Sequence, residues 1–270
     1  MKKLRSSDYI KFKYAKGNTN IYGRMFHDHY EIYLLLAGKV EFTNNHTKQI
    51  LNPFQLVVIP PGEYHQFVVN GNIDDYERCV IDIYPEIFEP DILPTALSGK
   101  ELLFLNESNR IVKHFIYLIE CLSIMDESDF SHVLCAVATD IIFLIKNYHD
   151  VQCVLAENIS SLSLNLMSYL NEHFTEQIDL DMLSQKFFCS TSSLCHVFKN
   201  DFGISIKKYI IQKRVNVANI ALQKGEKPEE VCVKYGFSNY STFYRDYKKY
   251  FGFSPSETYI RKNGAAVNPI

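Results

Sequence analysis

Two stretches near the end of the chain decide the fold: Lys186-Phe-Phe-Cys-Ser-Thr-Ser-Ser-Leu-Cys-His-Val-Phe-Lys-Asn-Asp-Phe-Gly-Ile-Ser205 and Lys234-Tyr-Gly-Phe-Ser-Asn-Tyr-Ser-Thr-Phe-Tyr-Arg-Asp-Tyr-Lys-Lys-Tyr-Phe-Gly-Phe-Ser254. They align at an offset of 48 at first and of 49 after one inserted residue, so that Leu194 matches Phe243, Phe198 matches Tyr247, Lys199 matches Lys248 and Phe202-Gly203 matches Phe251-Gly252. One supersecondary unit therefore occurs twice. Each copy reads as helix, tight turn, helix. Gly236 stands where the turn requires positive φ. Ser190 and Ser238 are the expected N-caps of the second helices, and Gly203 and Gly252 lie just past their ends.

Helical geometry separates the faces. At about 100° per residue with Ser192 at zero, Leu194, Val197 and Phe198 fall near 200°, 140° and 240°, the side that must be buried. Ser192, Cys195, His196 and Lys199 fall on the opposite side. In the second unit Phe243 and Tyr247 point in, while Ser241, Tyr244, Arg245 and Lys248 point out, and Thr242 beside them is counted with the DNA-binding residues. Short polar side chains with one long donor per helix suit base edges in a major groove, with a lysine reaching phosphate. A single short helix pair with such a face is commonplace. The same face repeated in tandem is poorly explained as ordinary solvated surface. A continuous helix from about Ile206 to Leu222, with Arg214, Ala218 and Leu222 in register, links the units. Two recognition helices on one such spacer read adjacent major-groove segments ~34 Å apart, a bipartite site with no palindrome inside one monomer.

Over Leu162 to Arg261 the sequence resembles the AraC/XylS family of regulators, on Ala218 to Leu222, Gly236-Phe237, Phe243, Tyr247-Lys248, Gly252 and Ser254-Pro255. The resemblance implies base-facing positions at Ser192, Cys195 and His196, and at Tyr240, Ser241, Tyr244 and Arg245. Three positions depart from the family pattern: His196 replaces a frequent arginine, Pro228 an apolar residue and Cys232 a small alanine. Proline is tolerated in a first helical turn.

Upstream, Tyr30 to Tyr84 reads as β. Short apolar runs (Glu31-Ile-Tyr-Leu-Leu-Leu-Ala37, Leu56-Val-Val-Ile59, Cys79-Val-Ile81) are separated by turn signals at Gly38, Asn44-Asn45, Asn52-Pro53, Pro61-Gly62 and Asn70-Gly71. That spacing suits an antiparallel sandwich or small barrel. Residues 1–20 read as a polar arm, and Pro85, Pro90 and Pro94 punctuate a connector. Two helices follow, with apolar stripes at Ile111, Phe115, Leu118, Leu122 and Met125, and at Leu134, Val137, Ile141, Leu144 and Tyr148. Such stripes either cover the barrel or pair with their copies in a dimer.

The expected organisation is thus two-domain. Residues 1–157 form an antiparallel β-barrel (about 20–85) with two following helices (about 108–149). Residues 158–270 form an all-α domain with two helix-turn-helix units joined by a linker helix.

Pro60-Pro61-Gly62-Glu63-Tyr64-His65, together with His27-Asp28-His29, Glu31 and Gly38, resembles the cupin-like sensor domain of the same family, which implies a small molecule inside the barrel. The expected ligand-binding residues are Arg24, His27, His29, Glu31, Tyr33 and His65. Strand alternation puts His27, His29 and Glu31 on one face, with Arg24 and Tyr33 sharing it by parity. His27, His29, Glu31 and His65 are also the right types for a metal. The spacing from histidines to glutamate is shorter than in metal-binding cupins, which argues against one shared ion, and neither metal nor cofactor is assigned. The chain has no Trp, so an aromatic platform must come from its 18 Tyr and 19 Phe.

Bulk properties agree. Residues 1–159 carry 14 Lys and Arg against 21 Asp and Glu, a balance of −7, and residues 160–270 carry 14 against 10, a balance of +4. Only the second part is suited to a polyanion. The seven cysteines form no C-x-x-C pair and suit a reducing compartment. No secretory signal is read at the start, and Val133–Ile145 is too short and polar to span a bilayer, so a cytoplasmic location is expected. The composite expectation is a DNA-binding transcription activator and not an enzyme. It is controlled by a small polar ligand such as a sugar, works as a homodimer on double-stranded DNA, and has RNA polymerase as a further partner and no membrane contact. The alternatives are a metal-dependent cupin enzyme fused to a DNA-binding domain, and a scaffold that binds protein through helix pairs. The scaffold gives Lys199, Arg245 and Lys248 no reason to share a surface.

Overall fold

The computed structural model describes residues 2–6, 9–17, 26–148 and 159–264, and the chain divides into two compact units, one of residues 1–43 and 48–157 and one of residues 44–47 and 158–270. The first unit holds strands β1 (Lys2–Ser6), β2 (Ile10–Lys16), β3 (Tyr30–Ala37), β4 (Val40–Asn44), β5 (Lys48–Leu51), β6 (Gln55–Ile59), β7 (His65–Val69) and β8 (Glu77–Ile83). A short helix α1 (Ile92–Leu97), a strand β9 (Leu102–Phe104) and helices α2 (Arg110–Ile124) and α3 (Glu127–Lys146) follow. The strands form a six-stranded sheet, β1-β2-β8-β3-β6-β9, and a three-stranded sheet, β5-β4-β7. The two sheets face each other as a sandwich and do not close into one hydrogen-bonded cylinder.

The large sheet is buried on both faces, which is why β3 reads as an unbroken apolar run. Ile32 and Leu34, with Phe12, Leu56 and Ile81, pack against the helices in one core containing Phe115, Leu118, Leu134 and Ile141. Tyr33 and Leu35, with Val57 and Val80, pack against Phe42, Leu51 and Phe67 of the small sheet in a second core. Both helical stripes predicted from periodicity are thus seated in the first core; each fully buried Leu, Ile or Phe contributes ~1.5–3 kcal/mol.

The polar arm expected over residues 1–20 is not found among the described residues: β1 and β2 are sheet strands. β2 pairs with β8 in the register Ile10↔Ile83, Phe12↔Ile81 and Tyr14↔Cys79. Ile10 and Phe12 are fully buried between the exposed or half-buried lysines of the same strand, a period-2 pattern hidden by its lysine content. The connector also contains structure, α1 and β9. Helix α3 is long and apolar enough, by length and composition, to cross a membrane, which corrects the shorter span read from sequence. Its Phe130, Leu134, Ala138, Ile141, Ile142 and Ile145 are buried in the first unit.

The second unit is helical: α4 (Ser161–His173), α5 (Leu180–Lys186), α6 (Thr191–Phe202), α7 (Ile206–Gln223), α8 (Pro228–Lys234), α9 (Tyr240–Phe251) and α10 (Pro255–Gly264). Helices α5–α6 and α8–α9 are the two helix-turn-helix units, and α7 joins them. Val215, Ala218 and Leu222 of α7 share a core with Val231, Cys232, Phe243 and Tyr247. The core of the first helix-turn-helix places Phe198 against Phe202 and Tyr209, with centroids 4.9 and 5.9 Å away. Pro228 stands at the start of α8, where its missing N–H costs nothing. Gly236 turns with φ 77°, and a β-carbon there would lie 2.1 Å from the Thr175 carbonyl oxygen.

Candidate nucleic-acid interface and ligand chamber

Capping sets where each recognition helix begins. Ser190 Oγ accepts from the Ser193 N–H at 3.1 Å. In the second unit the cap is Asn239, whose Oδ1 accepts from the Thr242 N–H at 2.8 Å, and not the expected Ser238. The residue inserted between the repeats moves the helix start by one. Both helices end at left-handed glycines, Gly203 and Gly252.

On α6, Ser192, His196 and Lys199 are exposed and Cys195 half-buried, opposite the buried Leu194 and Phe198. On α9, Ser241, Tyr244, Arg245 and Lys248 are exposed, opposite Phe243 and Tyr247. The Arg245 side chain is 72% exposed and lies 3.7 Å from Asp246. Lys248 Nζ sits 5.7 Å from the Tyr244 ring centre. Thr242 and Tyr240 are half-buried; the Tyr240 hydroxyl meets Ser256 Oγ at 3.2 Å and its ring packs on Phe243. Tyr240 therefore spends much of its surface on the domain itself. Tyr247 is buried and donates to Asn219 Oδ1 at 2.6 Å, which ties α9 to α7. Arg214 of α7 donates to the Phe174 and Glu176 carbonyls at 2.6 and 2.5 Å, a clamp on the segment before α5 that sequence reading treated only as a register position.

In the first unit, Arg24 lies outside the described residues. The remaining predicted ligand residues are placed by β3, β7 and the loops before them. Glu31 pairs across the sheet with Asp82 and Ile59, on the face turned to the small sheet. His27 Nε2 lies 3.6 Å from Glu31 Oε2. The His27 ring stacks on His29 at 4.2 Å and meets His65 edge-on at 4.8 Å. The Gly62 N–H donates to the His27 carbonyl at 2.8 Å, which fixes the loop leading to His65 beside the segment carrying His27. Tyr33 stacks on Phe67 at 4.0 Å, Phe67 in turn meets the His65 ring at 5.8 Å, and the Tyr33 hydroxyl meets that of Tyr76 at 3.2 Å.

Three charged residues near this cluster were missed in the sequence. Asp82 lies 3.7 Å from His29 Nε2 and is ion-paired with Lys13. Arg78, 2% exposed, lies 5.7 Å from the Tyr33 ring centre. Alternation along β8 puts Arg78, Val80 and Asp82 on one face, and two charges inside an apolar strand were the signal available. Burial dominates the electrostatics. It pushes the His65 imidazole down to about 4. It also lowers His27, helped by the neighbouring His65 and His29. Burial, then the Asp82 carboxylate, raise Glu31 to about 8. Both imidazoles are therefore neutral at neutral pH.

A sheet domain with an enclosed polar cluster, followed by two capped helix-turn-helix units, defines a transcription regulator with a ligand-binding and a DNA-binding domain. Residues 10–134 match the AraC-like ligand binding domain and residues 183–261 a helix-turn-helix domain; the chain belongs to the AraC/XylS family. It is similar to the HTH-type transcriptional regulator YbfI of Bacillus subtilis (strain 168), 27% identical over 236 residues, covering 84% of this chain and 82% of the relative. It is also similar to the arabinose operon regulatory protein of Salmonella typhimurium, 22% identical over 232 residues, covering 84% of this chain and 82% of the relative. The virulence regulon transcriptional activator VirF of Yersinia enterocolitica is 21% identical over 274 residues, covering 96% of this chain and 98% of the relative.

Proposed function

We propose that this chain is a sequence-specific transcription activator controlled by a small polar ligand held between the two sheets of its first domain. The observation that carries the DNA reading is the repetition of one face: two helices, each capped at its start and stopped by a left-handed glycine, each with small polar residues and a lysine opposite an aromatic core side. Ser192, Cys195 and His196 read one half-site; Ser241, Thr242, Tyr244 and Arg245 read the other, and Tyr240 borders it. Lys199 and Lys248 reach phosphate. The activator assignment follows the relative named as an activator. A sugar-like effector follows the relative named for the arabinose operon and the polar cluster of His27, His29, Glu31 and His65. Differential binding of effector to one state of a homodimer changes which half-sites its DNA-binding domains engage, and bound chains then contact RNA polymerase. The test is selection of bound duplexes from a random pool by the full chain at near-physiological salt. Enrichment of an asymmetric site with two short boxes about one helical turn apart is expected; a pool that shows no enrichment overturns the reading.

A further inference from the structure

The ligand atoms of His27, Glu31 and His65 all lie within 4.8 Å of one another inside the first domain. We propose that these three side chains bind a divalent first-row transition-metal ion, supplying two imidazole nitrogens and one carboxylate oxygen and leaving the other positions open to a ligand. This deepens the chamber assignment above and rests on the reading of that interior as a binding site.

One of the three donor separations, that of His27 from Glu31, is close to the value an ion requires, and all three fall within 4.8 Å. Two donors each about 2.1 Å from a tetrahedral ion lie about 3.4 Å apart, and His27 Nε2 is 3.6 Å from Glu31 Oε2. Tautomers follow from the outer nitrogens. His27 Nδ1 faces the His29 carbonyl at 2.7 Å and His65 Nδ1 faces the Glu63 carbonyl at 3.2 Å. A carbonyl only accepts, so each Nδ1 carries the proton and each Nε2 keeps its lone pair. An imidazole whose far nitrogen is held by a backbone carbonyl is the arrangement that presents the near one to a metal. His65 is fully buried, yet among the described residues no hydrogen-bond partner meets its Nε2. A buried nitrogen lone pair is costly to leave unsatisfied, and a metal ion at this position would satisfy it.

A second triad, His29, Glu31 and Asp82, shares the glutamate. Asp82 is already ion-paired with Lys13, and His29 Nδ1 meets Asp28 Oδ1 at 3.1 Å. The histidine and aspartate of this second triad are thus engaged with other partners, and His27 and His65 are the better oriented pair for an ion at Glu31. Two nitrogen donors disfavour Ca2+ and Mg2+, which take oxygen.

The test strips the full chain with chelator and titrates it with Co2+ alone, followed by visible absorption and by metal content after desalting. One ion per chain is expected. Glu31→Gln and His65→Gln each weaken uptake at least about tenfold, and His29→Gln retains it. Absence of uptake, uptake that survives both substitutions, or uptake lost only with His29→Gln overturns the assignment. Where a substituted chain does not fold, the imidazole nitrogen resonances of the unsubstituted chain decide. Zn2+ shifts those of His27 and His65 if the site is as assigned, and only those of exposed histidines such as His132 and His196 if it is not. Duplex selection with the metal-stripped chain tests the regulator reading separately, whichever way the titration falls.

Discussion

Replacing Gly236 with alanine tests the physical account of the second helix-turn-helix. The residue has φ 77°, where an L side chain pays roughly 1–2 kcal/mol. The new β-carbon would also lie 2.1 Å from the Thr175 oxygen and 2.7 Å from its carbonyl carbon, so that backbone must withdraw by about 1 Å to restore van der Waals contact. It is not free to do so, because Arg214 holds the carbonyls on either side, those of Phe174 and Glu176. Overpacking of this kind costs ~1–3 kcal/mol, and a weakened hydrogen bond from a charged donor adds about 1 kcal/mol. Gly236→Ala should therefore destabilise the second helix-turn-helix by about 3–6 kcal/mol, the sum of these contributions. Urea unfolding of the full chain by far-UV circular dichroism gives the size of the loss, and hydrogen exchange of the α8 and α9 amides assigns it to this unit. A loss under about 1 kcal/mol would refute the reasoning, since strain alone would already exceed it.

At the aligned turn of the first helix-turn-helix stands Phe188, with φ 53° and 96% exposed. Phe188→Gly should change stability by less than about 1 kcal/mol, because relief of left-handed strain is offset by the entropy glycine adds to the unfolded chain; unfolding midpoints measure it. Arg245→Ala should relax base preference in one box of the selected duplex, whereas Lys248→Ala should weaken binding to all sequences alike and flatten its salt dependence, both read by titrations at several salt concentrations. Asp201 accepts from the Ser160 backbone N–H and hydroxyl at 3.1 and 2.9 Å. Burial alone would raise its carboxyl, but the hydroxyls of Ser163 and Ser160 beside it and the Ser160 N–H hold it below the usual range. A depressed folded value means that its contribution is present above the unfolded pKa near ~3.9 and is lost as pH falls through the folded value. Asp201→Asn should lower stability at neutral pH and narrow the difference from the parent chain at low pH, as urea midpoints across that range would show.

The regulator part of the fold was legible because its signals are local. Helical period, turn glycines and the tandem repeat place α5 to α9, and the 100° rotation per residue correctly separates Leu194 and Phe198 from Ser192 and Lys199. The stripes of α2 and α3 were legible for the same reason. The sequence left β2 unread because Lys11 and Lys13 mask the alternation of Ile10 and Phe12, and only pairing with the distant β8 makes that strand part of a sheet. It misplaced the α9 cap by one residue, because an insertion between repeats is resolved only by which side chain reaches a free N–H.

The histidine and glutamate cluster of the first domain divides the same way. The sequence by itself determined which chemistry is available, namely three histidines and a glutamate near one apolar strand, and which strand face Glu31 and Tyr33 share. Tertiary structure alone decided that His27 and His65 meet Glu31, that Asp82 and Lys13 join them from β8 and β2, and that Tyr33 stacks on Phe67 with Arg78 beside it. Those distances depend on sheet pairing and on the Gly62 to His27 backbone bond. These join residues far apart in the chain, and spacing along a sequence does not measure separation across a fold.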